Sequence, residues 1–373
     1  MAVPLIIAGA GALLFGAKKH YDAHETNDLA DYVIKKSQNK YENQKKALEQ
    51  AQNSSGKALL DLGNLKIQTL EGSMKNFLSA YDRIKHILLS NSDGLDELSN
   101  IKFEQQDAVQ LQEMSSSIGS TLASGAAGAV TGMALGLATS GLAGITIGGV
   151  GAIAGMGGTL LAMGDIAGAI SMFAGGVSLG VTTAVAATPL AVLAAPVVVF
   201  SGLSANRKAE ENYEKAHAFE AEVDAACEKM ETSITLCKAI SKRAKMFSNL
   251  LKKLDTMFSA CAIQLDNLTA ERLASLNGSP ISREDFSADE MKLIAVSRAL
   301  AGSVKAILDT PILSPEGDLA TGFQNIYNSG SKQLPVFSQT VSEIGITTSH
   351  DDVINGEVLA KSAESVCEPD QQV

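Results

Sequence analysis

The sequence contains no tryptophan, and aromatic residues make up only 5% of a chain that is 46% hydrophobic. Small-molecule sites and compact cores draw heavily on aromatic surface. Here the apolar character comes from alanine, valine, leucine and isoleucine, together with 33 glycines among 373 residues. This composition argues against a compact enzyme.

The sequence also lacks any run of lysine and arginine, and its net charge of −11 is spread along the chain. Nucleic acid is therefore not an expected partner. The four cysteines have neither CxxC spacing nor a nearby histidine pair. We interpret them as small core residues in a reducing compartment rather than as disulfides or metal ligands: Cys227, Cys237, Cys261 and Cys367.

Recognisable catalytic motifs are missing as well. There is no phosphate loop, nucleophile elbow, zinc-binding helix or paired catalytic carboxylate in a suitable context. The glycine spacings of GGVGAIAGMGG, at 148–158, are like those of a dinucleotide loop, but no convincing strand precedes them. His20 and His24 lie one helical turn apart, yet a solvated helix start explains them better than a metal does. We therefore predict no catalytic residue, cofactor or metal, and no enzymatic activity.

A long amphipathic helix is predicted in the first part of the chain, within 20–115. Residues 22–90 contain no proline, and a seven-residue apolar repeat marks their second half. A turn at 91–94 precedes a shorter helix that reaches about Ser115. The repeat predicts an apolar stripe facing a partner helix, the first seam: Leu60, Ile67, Leu70, Met74, Phe77, Tyr81, Ile84 and Leu88.

A second amphipathic helix is predicted at 207–275, where apolar residues recur at alternating four- and three-residue steps, with a change of phase near Ile240. Because a hairpin between the two helices would bring their ends together, we expect an all-α fold in which they form a long antiparallel coiled coil. The residues of this second seam are Val223, Cys227, Met230, Ile234, Cys237, Phe247, Leu251, Leu254 and Phe258.

Between these helices lies an apolar segment with a different composition. Residues 114–206 hold 19 of the 33 glycines, and their only formal charge is Asp165. Small residues four apart let helix backbones approach closely inside lipid. We predict that 116–206 forms a Gly/Ala-rich helical membrane hairpin that packs through glycine faces. These glycines are Gly125, Gly128, Gly132, Gly136, Gly144, Gly148, Gly151, Gly155, Gly164, Gly168, Gly176 and Gly180.

Three other residues of this segment influence the interpretation. Pro189 and Pro196 would bend or interrupt a helix. Asp165 most simply marks a hairpin tip in water, and the alternative is a functional carboxylate inside the membrane. The alternative without a membrane role, for the whole segment, is a buried hairpin wrapped by the flanking helices of a soluble protein.

The two ends of the chain have distinct patterns. In the apolar N-terminal segment 1–19, the positive charges of Lys18 and Lys19 follow the apolar run 2–17 and do not precede it, so we do not expect a cleaved signal peptide. We expect this segment to be either a membrane-dipping anchor or a buried helix end. Within 276–320, Ser287 and Glu290 form a capping-box pattern before a helix that Pro311 ends. Residues 321–373 are polar, and we expect them to be extended, loosely packed or disordered.

The layout resembles a group of uncharacterised bacterial glycine-rich helical-hairpin membrane proteins over most of the chain up to about residue 320. The segments that carry the likeness are GAKKHYDAHETN, CKAISKRAKMFSNLLKKLDTMF and AVSRALAGSVKAILDTPILSPEGDL. The resemblance implies no particular activity and no functional residues. In architecture the chain is also similar to helical pore formers and apolipoprotein-L-like proteins.

These patterns lead to two functional hypotheses. In the first, the hairpin inserts into a lipid bilayer and the protein assembles, as a homo-oligomer, to permeabilise or remodel that bilayer, in the manner of a toxin or a defence effector. In the second, a membrane-anchored coiled-coil scaffold binds a helical partner protein, such as a membrane-acting GTPase, through its seams. Either hypothesis implies a location in the bacterial inner membrane or in the cytoplasm beside it.

Overall fold

The computed structural model describes residues 18–87, 89, 101, 103–123, 127–142, 209–277, 279–314 and 317–346. At 18–27, 121–123, 127–129 and 209–212 it describes the backbone alone. The helices are α1 (Lys18–Thr69), a π-helical turn (Leu70–Met74), α2 (Lys75–Ile84), α3 (Gln105–Ala123), α4 (Ala127–Ser140), α5 (Ala209–Ser275), a 3-10 turn (Arg283–Asp285), α6 (Ala288–Asp309) and α7 (Phe323–Glu343).

Throughout these described ranges every regular element is a helix, and the only β-type pairing is one isolated bridge between Leu313 and Leu319. The predicted all-α fold class is confirmed. The chain divides into two compact units. Unit 1 comprises 1–49 and 194–233, and unit 2 comprises 50–193 and 234–373, so α1 and α5 contribute residues to both.

Unit 2 contains a large apolar core to which all of its helices contribute. The Phe77 ring packs against Phe103 and Phe258, with ring centroids 5.2 Å and 5.5 Å apart. Three turns earlier on α5, Phe247 packs against Phe323 with ring centroids 4.5 Å apart. Aromatic pairs at these separations stabilise a core beyond the burial of their area. Aromatic side chains thus join α2, α5 and α7 within the core.

The two long helices run in the same direction within each unit. In unit 1, Lys40 Nζ lies 2.8 Å from Asp224 Oδ1, and the preceding turn of each helix is joined by an ion pair between Lys36 and Glu220. Because both residue numbers rise together along the contact, the helices are parallel.

Unit 2 has the same parallel arrangement. Ser54 Oγ lies 3.5 Å from Ser241 Oγ, and the Arg83 guanidinium donates to Asp266 Oδ1 at 2.7 Å. The antiparallel pairing predicted from the sequence is therefore wrong. A heptad pattern defines which face of a helix is apolar, but it looks the same in both chain directions, and the prediction assumed a single hairpin between the helices. The described part of that connection instead contains two helices, α3 and α4.

The predicted capping box is present at the start of α6. The Ser287 hydroxyl accepts from the Glu290 amide, and Glu290 Oε2 accepts from the Ser287 amide at 2.7 Å. These two bonds satisfy donors that the first helical turn leaves free. The helix ends at Asp309, two residues before Pro311. Local sequence chemistry is sufficient to define both ends of this element.

Helix α7 corrects the prediction of a loosely packed tail for 323–343, whereas residues 347–373 of that predicted tail lie outside the described residues. The inward-facing positions of α7 follow the same alternating four- and three-residue steps as the seams, and one of these positions is a glycine. They are Phe323, Tyr327, Gly330, Leu334, Phe337 and Val341. All six are buried. A glycine and an interior proline, Pro335, hid the pattern because both residues are poor helix formers. Pro335 is tolerated on the exposed side of the helix.

The structure buries the seam residues that it describes. Leu60 is partly buried and Leu88 lies outside the described residues, whereas the other six residues of the first seam and all nine of the second are buried. The seams meet directly in unit 2, where Phe77 contacts Phe258. Supercoiling of the two helices stays a prediction.

A cysteine pair tests the helix direction. In a variant without the four native cysteines, Ser73→Cys and Asp255→Cys should form a disulfide on mild oxidation, because the Ser73 hydroxyl donates to Asp255 Oδ1. The control pair, Ser73→Cys with Glu220→Cys, is the pair that an antiparallel hairpin would bring together. It should not form a disulfide, because Glu220 lies about 52 Å before Asp255 along α5. Peptide mapping of the oxidised proteins identifies the link. Cross-linking of the control pair alone would overturn the parallel arrangement.

Candidate functional site

The described beginning of the Gly/Ala-rich segment packs inside unit 2. In α4, Met133, Ala134, Leu137 and Ala138 are at most 4% exposed and belong to the apolar core. No helix among the described residues is both long enough and apolar enough to cross a membrane. Helix α4 is thus held as part of a helical body, and its contacts with α1 and α6 define the candidate site.

A glycine on α1 allows α4 to approach closely. A Cβ atom placed on Gly63 would lie 1.9 Å from the carbonyl oxygen of Ala134, which is far inside contact distance. That oxygen belongs to the backbone and cannot move aside as a flexible side chain could. Only glycine fits at this crossing of α1 and α4.

One turn further along α1, the ammonium group of Lys66 joins the ends of two helices. Lys66 is fully buried, and its Nζ donates to the carbonyl oxygens of Leu137, Leu308 and Thr310 at 3.1, 3.1 and 3.2 Å. Leu137 lies in the last turn of α4, and the other two lie at the end of α6. An ammonium group has three N–H donors and no acceptor, so three carbonyl acceptors match it.

The location of these carbonyls favours a positive charge. The last carbonyls of a helix have no partner within the helix and carry the negative end of its dipole. Burial nevertheless lowers the pKa of Lys66 to about 7, and the nearby Asp309 carboxylate opposes this shift. The ionisation of Lys66 is therefore coupled to the folded state near neutral pH.

The chain after α4 is fixed to the chain after α6. Gly141 has a positive φ of 64°, and a Cβ there would lie 2.0 Å from the carbonyl oxygen of Asp309. The Thr139 carbonyl accepts from the amides of Ile312 and Leu313, both at 3.0 Å. Together with Gly63 and Lys66, these contacts form what we call the Lys66 site.

The predicted glycine faces are described only in α4. Gly132 is buried, whereas a Cβ on Gly136 would meet no atom within 4 Å, so Gly136 is not a close-approach position in this state. Gly128 lies in α4 with its backbone alone described. The remaining predicted residues lie outside the described residues: Gly125, Gly144, Gly148, Gly151, Gly155, Gly164, Gly168, Gly176, Gly180, Asp165, Pro189 and Pro196.

Sequence reasoning missed Gly63 and Lys66 because it searched for function in the uncharged segment. A signal was present: Leu59, Gly63, Lys66 and Leu70 share one helical face. A lysine on an otherwise apolar face indicates either a long side chain reaching to solvent or a buried cation with partners. Lys66 is the second kind.

An open polar groove of about 920 Å³ lies elsewhere in unit 2, between the π-helical turn, α2 and α3. Glu71, within the π-helical turn, accepts from Ser115 Oγ at 2.8 Å and lies beside Lys75. Arg83, also in the lining, is paired with Asp266. In the part of the chain that the structure describes, no cluster of three or more His, Cys, Asp or Glu residues could hold a metal ion.

The described cysteines are buried free thiols. Burial raises the pKa of Cys261 to about 12, and the pKa values of Cys227 and Cys237 are raised for the same reason. A raised pKa leaves little thiolate at neutral pH, so these three groups are poor nucleophiles.

Lys66→Met should lower the free energy of unfolding at pH 7 by about 1–3 kcal/mol, since three buried carbonyls lose their donor. The pH dependence has a defined sign. The pKa of Lys66 is about 7 when folded and about 10.5 when unfolded, so the unfolded chain binds more protons in that interval. Wild-type stability therefore gains with pH there, by at most about 1.4 kcal/mol per unit, relative to Lys66→Met.

Denaturant unfolding at several pH values between 6 and 9 measures this difference. Lys57→Met is the control, because Lys57 is an exposed lysine of the same helix. Its curve should parallel that of the wild type. A Lys66→Met curve that also stays parallel would exclude the coupling.

Two glycine substitutions separate close approach from helix propensity. Gly63→Ala should destabilise unit 2 although alanine is the better helix former, because its Cβ would collide with the Ala134 carbonyl. Gly136→Ala should stabilise the protein by up to about 1 kcal/mol, because its Cβ would enter open space. Thermal and denaturant unfolding report both effects. Equal shifts of the same sign would contradict the described packing of α4.

No protein-family model matches the sequence, and comparison with curated proteins and with solved structures finds no match. The geometry of the described residues and the pattern of the sequence therefore carry the functional argument by themselves.

Proposed function

We propose that this chain is a non-enzymatic membrane-interacting protein that stores the beginning of its Gly/Ala-rich segment in a helical body and inserts that segment into a bilayer on a trigger. In the inserted state, glycine faces pack helices of several copies together and permeabilise or remodel the bilayer. The docking of α4 at the Lys66 site is the observation that carries this proposal.

Two properties of the docked helix support a stored state. Helix α4 contains no charged residue, so its transfer to lipid needs no charge to be buried. Polar contacts at its carboxyl end supplement the burial of its apolar side chains, because Lys66 donates to backbone carbonyls and no side-chain carboxylate is among its acceptors. Water can replace these polar partners, and lipid can replace the apolar surroundings of Leu137 and Ala138.

The open space beside Gly136 supports assembly. Its missing side chain is not used for packing in the docked state, although this glycine weakens the helix by about 1 kcal/mol relative to alanine. A bare helix surface of this kind is what a second helix needs for close approach in lipid. The sequence after α4 continues with uncharged residues from 143 to 206, apart from Asp165, which is enough for two spans of about 20 residues.

The second candidate function is a membrane-anchored scaffold. The sequence pattern alone favoured the seams as its partner-binding surface, but the described seam residues, with Leu60 partly exposed, are buried within this chain. The polar groove beside Glu71 is the surface that favours a partner protein instead. This scaffold would anchor to a membrane without permeabilising it.

Dye release and flotation with liposomes of phosphatidylethanolamine and phosphatidylglycerol separate these functions. A pore former should float with the liposomes and release dye more steeply than in proportion to its concentration, because assembly is required. Gly136→Leu should be at least as stable as the wild type yet release dye several-fold more slowly, since its side chain would block close helix packing.

Gly322→Leu is the matched control, because a Cβ on Gly322 would also meet no atom within 4 Å, and Gly322 lies outside α4. This variant should release dye as the wild type does. Flotation without release would favour the scaffold. A protein that ignores liposomes at every pH and lipid composition would exclude both functions.

A further inference from the structure

The parallel course of α1 and α5 defines a register in unit 1. Lys40 and Asp224 are 184 residues apart in the sequence, and so are Lys36 and Glu220, which form the ion pair of the preceding turn. Extending this register towards the amino ends of both helices brings Leu29 level with Tyr213.

The same face of each helix continues through this register. On α1, Leu29 and Tyr32 share a face with Lys36, because residues three, four and seven apart lie on one side of a helix. On α5, Tyr213 shares a face with Glu220 for the same reason. Two turns beyond the ion pairs, the exposed face that carries them thus changes from charged to apolar and aromatic.

These three residues are exposed in the structure. Leu29, Tyr32 and Tyr213 are 49%, 65% and 36% exposed, and Tyr213 contacts His217 with ring centroids 4.6 Å apart. Large apolar side chains that face water together mark an interaction surface. Tyrosine in particular prefers the boundary between lipid and water, because its ring is apolar and its hydroxyl is polar.

The sequence indicates that lipid covers this surface. The apolar stretch 2–17 leads directly into α1, and the apolar end of the Gly/Ala-rich segment, 166–206, leads directly into α5. Because the two helices are parallel, both apolar stretches join the described chain at the same end of unit 1. An antiparallel pair would have separated them by the length of the unit.

The charges around this surface indicate the type of lipid. Asp28, Asp31 and Glu214 are exposed beside the three apolar side chains, and so are Lys35 and Lys36 on the same side of α1. A surface that carries both signs of charge matches a zwitterionic headgroup, which carries both signs as well, whereas its carboxylates are repelled by anionic lipids.

We propose that Leu29, Tyr32 and Tyr213 form a membrane-docking surface that sits among the zwitterionic headgroups of the bilayer. The surface brings the amino ends of α1 and α5 to one face of the membrane, so that both apolar stretches enter from that face. This inference rests on the proposed membrane function and adds which end of unit 1 meets the lipid and which headgroup it meets.

The absence of tryptophan provides a direct test in the full-length chain. Tyr32→Trp and Tyr213→Trp each introduce a single tryptophan into a sequence that has none. Ile263→Trp is the matched control, because Ile263 is an equally exposed apolar residue on α5 but belongs to unit 2. Emission is recorded with and without phosphatidylcholine vesicles, and quenching by lipids brominated near the headgroup reports depth.

With vesicles, the emission of the Tyr32→Trp and Tyr213→Trp variants should shift to shorter wavelength and be quenched by the brominated lipid. The emission of the Ile263→Trp variant should do neither. Adding phosphatidylglycerol should reduce the shift, and a shift that grows instead would overturn the zwitterionic assignment.

Flotation of the same samples distinguishes a failure of the proposed docking surface from a failure of the proposed membrane function. Proteins that float while all three reporters behave alike overturn the docking surface and leave the membrane function standing. Proteins that never float with any lipid exclude both.

Discussion

A buried cation that binds only backbone carbonyls organises this fold. Moving an ammonium group out of water costs several kcal/mol even after relaxation. At Lys66 the compensation comes from three bonds to carbonyl oxygens, and hydrogen bonds to charged groups contribute roughly 1.5–3 kcal/mol each. The two terms are of similar size. The site therefore contributes little net stability, but it specifies that the ends of α4 and α6 must meet at this point of α1.

The same solution recurs at a second helix end in unit 2. Arg298 lies over the Tyr81 ring and donates to the carbonyls of Ile84 and Ile87, which close the carboxyl end of α2. Burial lowers the pKa of Arg298, as it does that of Lys66. A chain with few aromatic residues has little ring area with which to define its core. Cations at helix ends supply the directional contacts that apolar packing alone lacks.

Sequence patterns predicted the features that depend on residues close together in the chain, such as buried helix faces and caps. They missed the features that depend on the path of the chain between helices, such as helix direction. The burial of the seams and the cap of Ser287 follow from spacing along one helix, so they were accessible. The direction of α5 relative to α1 depends on how many helices lie between them, which no local pattern contains. Helix α7 was missed because Gly330 and Pro335 lower local propensity, although contacts with α5 stabilise it. At the site, only the face shared by Gly63 and Lys66 gave a signal.

Gly63 and Gly136 show why glycine counting alone could not locate the packing surface. Both occur in helices that meet at the site, yet Gly63 is pressed against a carbonyl and Gly136 faces empty space. A helix can leave its own glycine unused when the close approach is provided by a glycine on its neighbour. In α4, Gly132 is buried and Gly136 is open, so only part of the predicted glycine face is unused in the helical body. The packing that we propose in a bilayer would use the open position at Gly136, whereas docking in the helical body uses the contacts with Gly63 and Lys66.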